Sequence, residues 1–172
     1  NEAYDSVEAL TRHWYGGGLI RSLHRYAADG MVITMLVHMS RYFVFNRYRS
    51  FRWFSWVTGV FLLWLTYASG INGYMLPWDR LAQFVATATA EWLDWFPIFA
   101  GSLARNFAYQ GSVNDRLFSL LSFLHIGIPL GLLIAMWVHT QRVPRARTSP
   151  PREIALMLGA ALLVLAALKP AV

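Results

Sequence analysis

Four apolar stretches alternate with polar segments along the chain, and they cover about residues 18–45, 54–76, 117–140 and 154–168. A helix needs about 20 apolar residues to cross the hydrocarbon core of a bilayer. Only helices and closed barrels satisfy their backbone hydrogen bonds in lipid, and the alternating polarity of barrel strands is missing. The pattern therefore predicts an all-α integral membrane bundle with four transmembrane helices, the last of them short.

The long connection between the second and third spans has a helical pattern of its own. Apolar side chains recur there every three or four residues, at Leu81, Phe84, Val85 and Ala88. The same connection is rich in tryptophan, which favours the membrane interface. We expect a short amphipathic helix near residues 80–95 that lies on the outer membrane surface.

Arginines cluster in two polar segments, 41–53 and 141–153. Positively charged loops stay on the cytoplasmic side, so both segments should face the cytoplasm of a bacterial-type inner membrane, and the first and third spans should both enter from outside. The net charge of +6 then reflects multi-pass topology and not nucleic-acid binding. The chain has no cysteine, which excludes cysteine-ligated iron–sulfur clusters within it.

Four of the five histidines form two pairs with the same interval. His24 and His38 are 14 residues apart on the first span, and His125 and His139 are 14 apart on the third. This interval rises about 21 Å and ends within about 40° of whole turns, so each pair occupies one helix face. Because the two spans run the same way, His24 should lie level with His125 (the outer pair) and His38 with His139 (the inner pair).

Each pair offers two imidazoles, which is the number of protein ligands that a haem iron takes, whereas zinc would need four. A single histidine within a span is often only packed against a neighbouring carbonyl, and that interpretation stays open for each one alone. Polar groups in lipid are costly and usually functional. The repeated interval on two parallel helices favours haem ligation for the set. His13 fits neither pair.

Gly59 and Gly73 on the second span are also 14 residues apart. Glycine lets large groups approach a membrane helix, so this interval predicts room for two flat porphyrins, although a helix–helix contact would use the same residues.

Other residues are candidates for binding the haem propionates. Arg21 precedes His24 by three residues, and Arg41 follows His38 by three, so each arginine lies on its histidine's face. An arginine fork suits a carboxylate, although membrane topology explains Arg41 almost as well. Trp56 could donate its indole N–H to the inner propionates.

With these residues identified, the chain resembles the amino-terminal half of the cytochrome b of bc-type and chloroplast cytochrome complexes. The matching residues are Gly18-Leu19-Ile20-Arg21-Ser22-Leu23-His24, His38 with Arg41, Trp56 with Gly59, Gly73-Tyr74-Met75-Leu76-Pro77-Trp78, Ser112-Val113, and His125, Pro129 and His139. The resemblance implies a haem-binding four-helix bundle with two bis-histidine haems b, and quinone as the usual redox partner. A dihaem membrane domain should thus cover residues 1–142, and an additional C-terminal transmembrane helix should cover 153–169.

The chain departs from the family pattern at several places. The family's first helix would precede Asn1, so we expect either a partial chain or another subunit in that place. Asp79 stands where the family has glycine, Val85 has bulk that would intrude on the outer quinone pocket, and Pro144 replaces a histidine of the inner quinone site. The resemblance therefore implies that this chain binds haem, but it gives little support for quinol bifurcation as the family performs it.

These features predict transmembrane electron transfer by the membrane subunit of a larger quinone-linked respiratory or photosynthetic oxidoreductase. Its expected partners are other subunits of the complex, quinone and the lipid bilayer. One alternative is half of a quinol:cytochrome c oxidoreductase whose other half is a separate chain, and another is a membrane anchor with purely structural haems. A transporter using Asp29 is a third, although Arg25 four residues earlier favours local charge pairing.

Overall fold

The computed structural model describes residues 2–102, 105, 113–143 and 145–171, and within these ranges the chain is helical without strands. The α-helices are α1 (Glu2–Arg12), α2 (Leu19–Val44), α3 (Trp53–Met75), α4 (Arg80–Asp94), α5 (Asp115–Thr140) and α6 (Arg152–Leu168). The all-α prediction is confirmed for this part of the chain. Ser112 and Pro144, both compared with the family above, lie outside the described residues.

Two of the four predicted spans are long and apolar enough to cross a membrane. They are Ser50–Met75, which is α3 with the short 3-10 turn before it, and Asp115–Thr140, which is α5. Large apolar side chains on α5 such as Phe123 and Leu133 are about seven-tenths exposed, and lipid would cover such a surface. The other two predicted spans are also helices, but α2 carries several charges and α6 has only 17 residues.

The chain divides into two compact units. The first comprises Asn1–Val7 and Tyr67–Leu130, and the second comprises Glu8–Thr66 and Gly131–Val172. The long helices α3 and α5 contribute residues to both units.

The first unit has a small apolar core formed by the end of α3, by α4 and by the start of α5. Its buried residues are Met75, Trp78, Ala86, Leu117 and Leu121. The ring of Phe118 packs edge-on against Trp78, with 5.5 Å between the ring centroids. Ala3 of α1 also packs against this core. The sequence analysis did not predict α1, although Ala3, Val7 and Leu10 recur along it at helical spacing.

Asp79 is the N-cap residue of α4. Its carboxylate accepts a hydrogen bond from the backbone N–H of Ala82 at 2.7 Å, which is the N-cap interaction that aspartate favours. Trp78 before it has a left-handed backbone, with φ of 54°. The side chain of Gln83 donates to the Trp78 carbonyl oxygen at 3.0 Å and closes this turn.

In the second unit, α6 packs against α2 in the antiparallel sense. The hydroxyl of Tyr26 donates to the carbonyl oxygen of Lys169 at 2.7 Å. The backbone N–H of Ala171 donates to the hydroxyl oxygen of Ser22, which is fully buried, at 2.9 Å. The turn that follows α6 is therefore attached to the first two turns of α2.

Both arginine-rich segments reach the same end of the second unit. The guanidinium of Arg142, just after α5, lies over the ring of Phe54 near the start of α3, 4.8 Å from the ring centroid. This contact agrees with the expectation that the two segments share one side of a membrane. Which side is cytoplasmic stays a prediction.

A short π-helical turn, Trp14–Gly18, connects α1 to α2. Gly18 is buried, and a Cβ atom at this position would lie 2.7 Å from the carbonyl oxygen of Thr11. Only glycine permits so close an approach of two backbone segments. The end of α1 is thus held beside the start of α2, where Arg21 is located.

Candidate haem-binding site

His139 lies in the last turn of α5, and a side chain of α3 orients its ring. Its Nδ1 atom is 2.9 Å from the hydroxyl oxygen of Thr58. That hydroxyl directs its own single proton at the backbone carbonyls of Phe54, at 2.8 Å, and Ser55, at 3.2 Å. The hydroxyl oxygen therefore accepts from Nδ1–H of His139, and we assign the tautomer whose Nε2 has the free lone pair.

His38 is the predicted partner of His139, and the second unit brings the two rings near each other. They are close enough to interact electrostatically. The His38 ring is exposed and packs against Tyr42, one turn further along α2, with 4.7 Å between the ring centroids. Both histidines of the inner pair thus belong to one unit, and their joint binding of a haem stays a prediction.

His125, in the first unit, has its ring oriented by a backbone group. Its Nδ1 atom is 3.0 Å from the carbonyl oxygen of Ser69 on α3. A carbonyl can only accept a hydrogen bond, so Nδ1 of His125 carries the proton and Nε2 keeps the lone pair. Pro129 lacks the N–H that would donate to the His125 carbonyl in a regular helix.

The two predicted glycines lie directly against these histidine rings. A Cβ atom at Gly59 would lie 3.2 Å from Cε1 of His139, and one at Gly73 would lie 2.6 Å from Nδ1 of His125 and would overlap Cε1 of the same ring. Each glycine thus leaves room for an imidazole. Room for a porphyrin beside them stays a prediction.

His24 lies in the second turn of α2 and its ring is exposed. Its predicted pairing with His125 stays a prediction. Arg21, one turn before it, donates from Nη1 to the hydroxyl of Thr11 at 2.9 Å and to the carbonyl of Ala171 at 3.4 Å. In this structure Arg21 therefore joins α1, α2 and the turn after α6.

The remaining predicted propionate ligands lie in the second unit. Arg41 is in the last turn of α2 and exposed, and within the described ranges its guanidinium has no carboxylate partner. The indole of Trp56 packs against the rings of Tyr48, at 5.4 Å, and Phe43, at 6.2 Å. Binding of haem propionates by Arg41 and Trp56 stays a prediction.

The donor set of this chain fits haem iron. A ligand histidine in a metal site usually donates its other ring N–H to an oxygen, which fixes the tautomer and the ring orientation, and both α5 histidines do so. Porphyrin nitrogens occupy the remaining iron positions, so two imidazoles suffice. Among the described residues no three His, Asp or Glu side chains converge as a protein-only metal site would require.

Thr58 and the Ser69 carbonyl were not predicted from the sequence. The only available signal is their position, because Thr58 directly precedes Gly59 and Ser69 lies one turn before Gly73. A hydroxyl within a membrane helix usually bonds to its own backbone, and nothing in the sequence distinguishes one that also receives a histidine.

Comparison with known proteins identifies the family of this chain. The family model described as cytochrome b/b6/petB matches residues 1–145. The chain is 32% identical over 154 residues to cytochrome b6 of Gracilaria tenuistipitata var. liui, which covers 87% of this chain and 70% of the relative. It is 30% identical over 158 residues to cytochrome b6 of Heterocapsa triquetra, with 87% and 71% covered.

The four histidines and both glycines fall within the matched residues, whereas α6 lies beyond them. The chain therefore belongs to the cytochrome b family, the haem-bearing subunits of membrane redox complexes.

Proposed function

We propose that the chain carries electrons across a membrane through two haems b, an inner one held by His38 and His139 and an outer one held by His24 and His125. The observation that carries this proposal is the arrangement of the two α5 histidines. Each directs Nδ1 at an oxygen acceptor and rests against a glycine of α3. We propose that each ring binds iron through Nε2, at the same 14-residue interval on α5.

Haem supplies the one-electron couple of iron when it is bound. The chain contributes orientation, because Thr58 and the Ser69 carbonyl hold the rings of His139 and His125. It contributes space for the two histidine rings, because Gly59 and Gly73 have no side chain that would collide with them. The apolar surfaces of α3 and α5 exclude water, and a low dielectric strengthens electrostatic control of the site.

The proposed topology has four spans, α2, α3, α5 and α6, with segments 41–53 and 141–153 in the cytoplasm of a bacterial-type inner membrane. The Arg142–Phe54 contact and the antiparallel packing of α2 and α6 support it. Arg41 would then pair with the propionates of the inner haem, since it follows His38 by one turn and has no carboxylate partner in the described part of the chain.

We also propose that quinone is one redox partner and that other subunits complete the complex. This part rests on the family relationship. A water-soluble quinol should reduce the bound haems in the purified complex. Haems that dithionite reduces but quinol does not would contradict the quinone link and leave haem binding intact.

The haem assignment can be tested on the purified protein with difference spectra of the dithionite-reduced minus the oxidised form. We expect b-type bands and two haems per chain. His38→Ala and His139→Ala should each remove the inner haem, and His24→Ala and His125→Ala should each remove the outer one. His13→Ala is the matched control and should retain both. A wild-type protein without haem, or a His139→Ala variant with two, would refute the assignment.

A further inference from the structure

The hydroxyl of Thr58 lies between the backbone of α3 and the candidate haem ligand His139. It donates to the carbonyl of Phe54 one turn earlier on α3, and with the tautomer assigned above it accepts from Nδ1–H of His139 on α5. Hydrogen bonds in such a chain polarise one another, so each bond strengthens the next. The carbonyl of Phe54 is thereby coupled to the imidazole.

The two α5 histidines differ in the kind of acceptor that they use. His125 donates to a backbone carbonyl, which every residue type at position 69 would provide. His139 donates to a side chain, which a single substitution removes. The hydrogen bond that orients the ring of His139 therefore depends on the side chain at position 58.

We propose that Thr58 is a positioning residue for the inner haem, which fixes the ring of His139 and sets the reduction potential of the iron that this ring holds. The proposal rests on the proposed function. An imidazole that donates a strong Nδ1–H bond is a more basic ligand, and a more basic ligand stabilises ferric iron over ferrous iron. The Thr58 bond therefore lowers the potential of the inner haem.

Thr58→Val tests this role, because valine keeps the branched shape and loses the oxygen. The inner haem should become easier to reduce, with a change in its ferrous-to-ferric ratio of up to about tenfold at a fixed ambient potential. This corresponds to about 59 mV for a one-electron couple. The measurement is a redox titration of the purified protein followed at the haem bands. The outer haem should titrate as in the wild type.

Two other variants isolate the hydrogen bond from packing. Thr58→Ser keeps the hydroxyl and should titrate close to the wild type. Thr34→Val makes the same change on α2, where the hydroxyl bonds only to the backbone carbonyls of Gly30 and Met31, and it should shift neither haem. Thr58→Ala provides a second loss of the hydroxyl if the valine variant folds poorly.

An inner potential that is unchanged in Thr58→Val and Thr58→Ala overturns the proposal, and so does an equal shift in Thr58→Ser. These outcomes leave the proposed function intact, because the wild-type protein would still contain two haems. A wild-type protein that contains no haem refutes the proposed function itself.

Discussion

Gly59 and Gly73 of α3 show that a single added Cβ atom would collide with or press on a candidate ligand ring. At Gly73 an added methyl group would overlap the ring of His125, and at Gly59 it would press on the ring of His139 at 3.2 Å. At Gly70, on the same helix, it would meet nothing within 4 Å. Identical substitutions on one helix therefore have different expected costs.

We predict that Gly73→Ala displaces the His125 ring and lowers haem occupancy strongly, whereas Gly59→Ala has a smaller effect. Gly70→Ala is the control and should retain both haems, since alanine is about 1 kcal/mol better than glycine in a helix interior. Haem content per chain measures all three. Normal haem content in Gly73→Ala would mean that the ring of His125 does not depend on this space.

At the residue scale the sequence predicts candidate haem ligands but not the oxygen atoms that accept hydrogen bonds from them. The 14-residue interval of the histidines is a local property of a helix, so it can be read without a structure. The bonds from His139 to Thr58 and from His125 to Ser69 join residues 81 and 56 positions apart. They depend on helix neighbours and side-chain rotamers that no local pattern encodes.

Among the helices, the packing of α6 against α2 extends beyond the family match. Ser22 is fully buried, donates to the Gly18 carbonyl at 2.7 Å and accepts from the backbone of Ala171. Tyr26 adds the bond to Lys169. The sequence predicted a helix over 153–169 but not its neighbour, because this contact is tertiary.

We predict that Ser22→Ala lowers the free energy of unfolding by about 1–3 kcal/mol, because it leaves the partly buried backbone N–H of Ala171 without its acceptor. Tyr26→Phe should cost about 1 kcal/mol. Tyr15→Phe alters an exposed ring and serves as the control. Unfolding of the purified protein in denaturant measures the effect. Equal stability of Ser22→Ala and Tyr15→Phe would show that the turn after α6 contributes nothing.

The two arginine-rich segments predict how the whole molecule is oriented in the membrane. The chain contains no cysteine, so single cysteines can be introduced without removing any. Ser50 and Ser149 lie in the two arginine-rich segments, and Gln83 lies on the exposed part of α4.

We predict that Ser50→Cys and Ser149→Cys react with a membrane-impermeant maleimide only after the cells are opened, whereas Gln83→Cys reacts in intact cells. The positive-inside rule gives the direction. Labelling of Ser50→Cys and Ser149→Cys from opposite sides would contradict the topology. Labelling of all three from the inside would place α4 in the cytoplasm and reverse the surface assigned to it.

The bonds between the turn after α6 and the first turns of α2 join a segment outside the family match to a segment within it. The family match ends at residue 145, yet Lys169 and Ala171 bond to Tyr26, Ser22 and Arg21, which surround His24 in the sequence. Changes in α6 are therefore coupled to the segment around His24 through three hydrogen bonds. A substitution in α6 or the turn after it should therefore shift the spectrum of the proposed outer haem although His24 and His125 are unchanged.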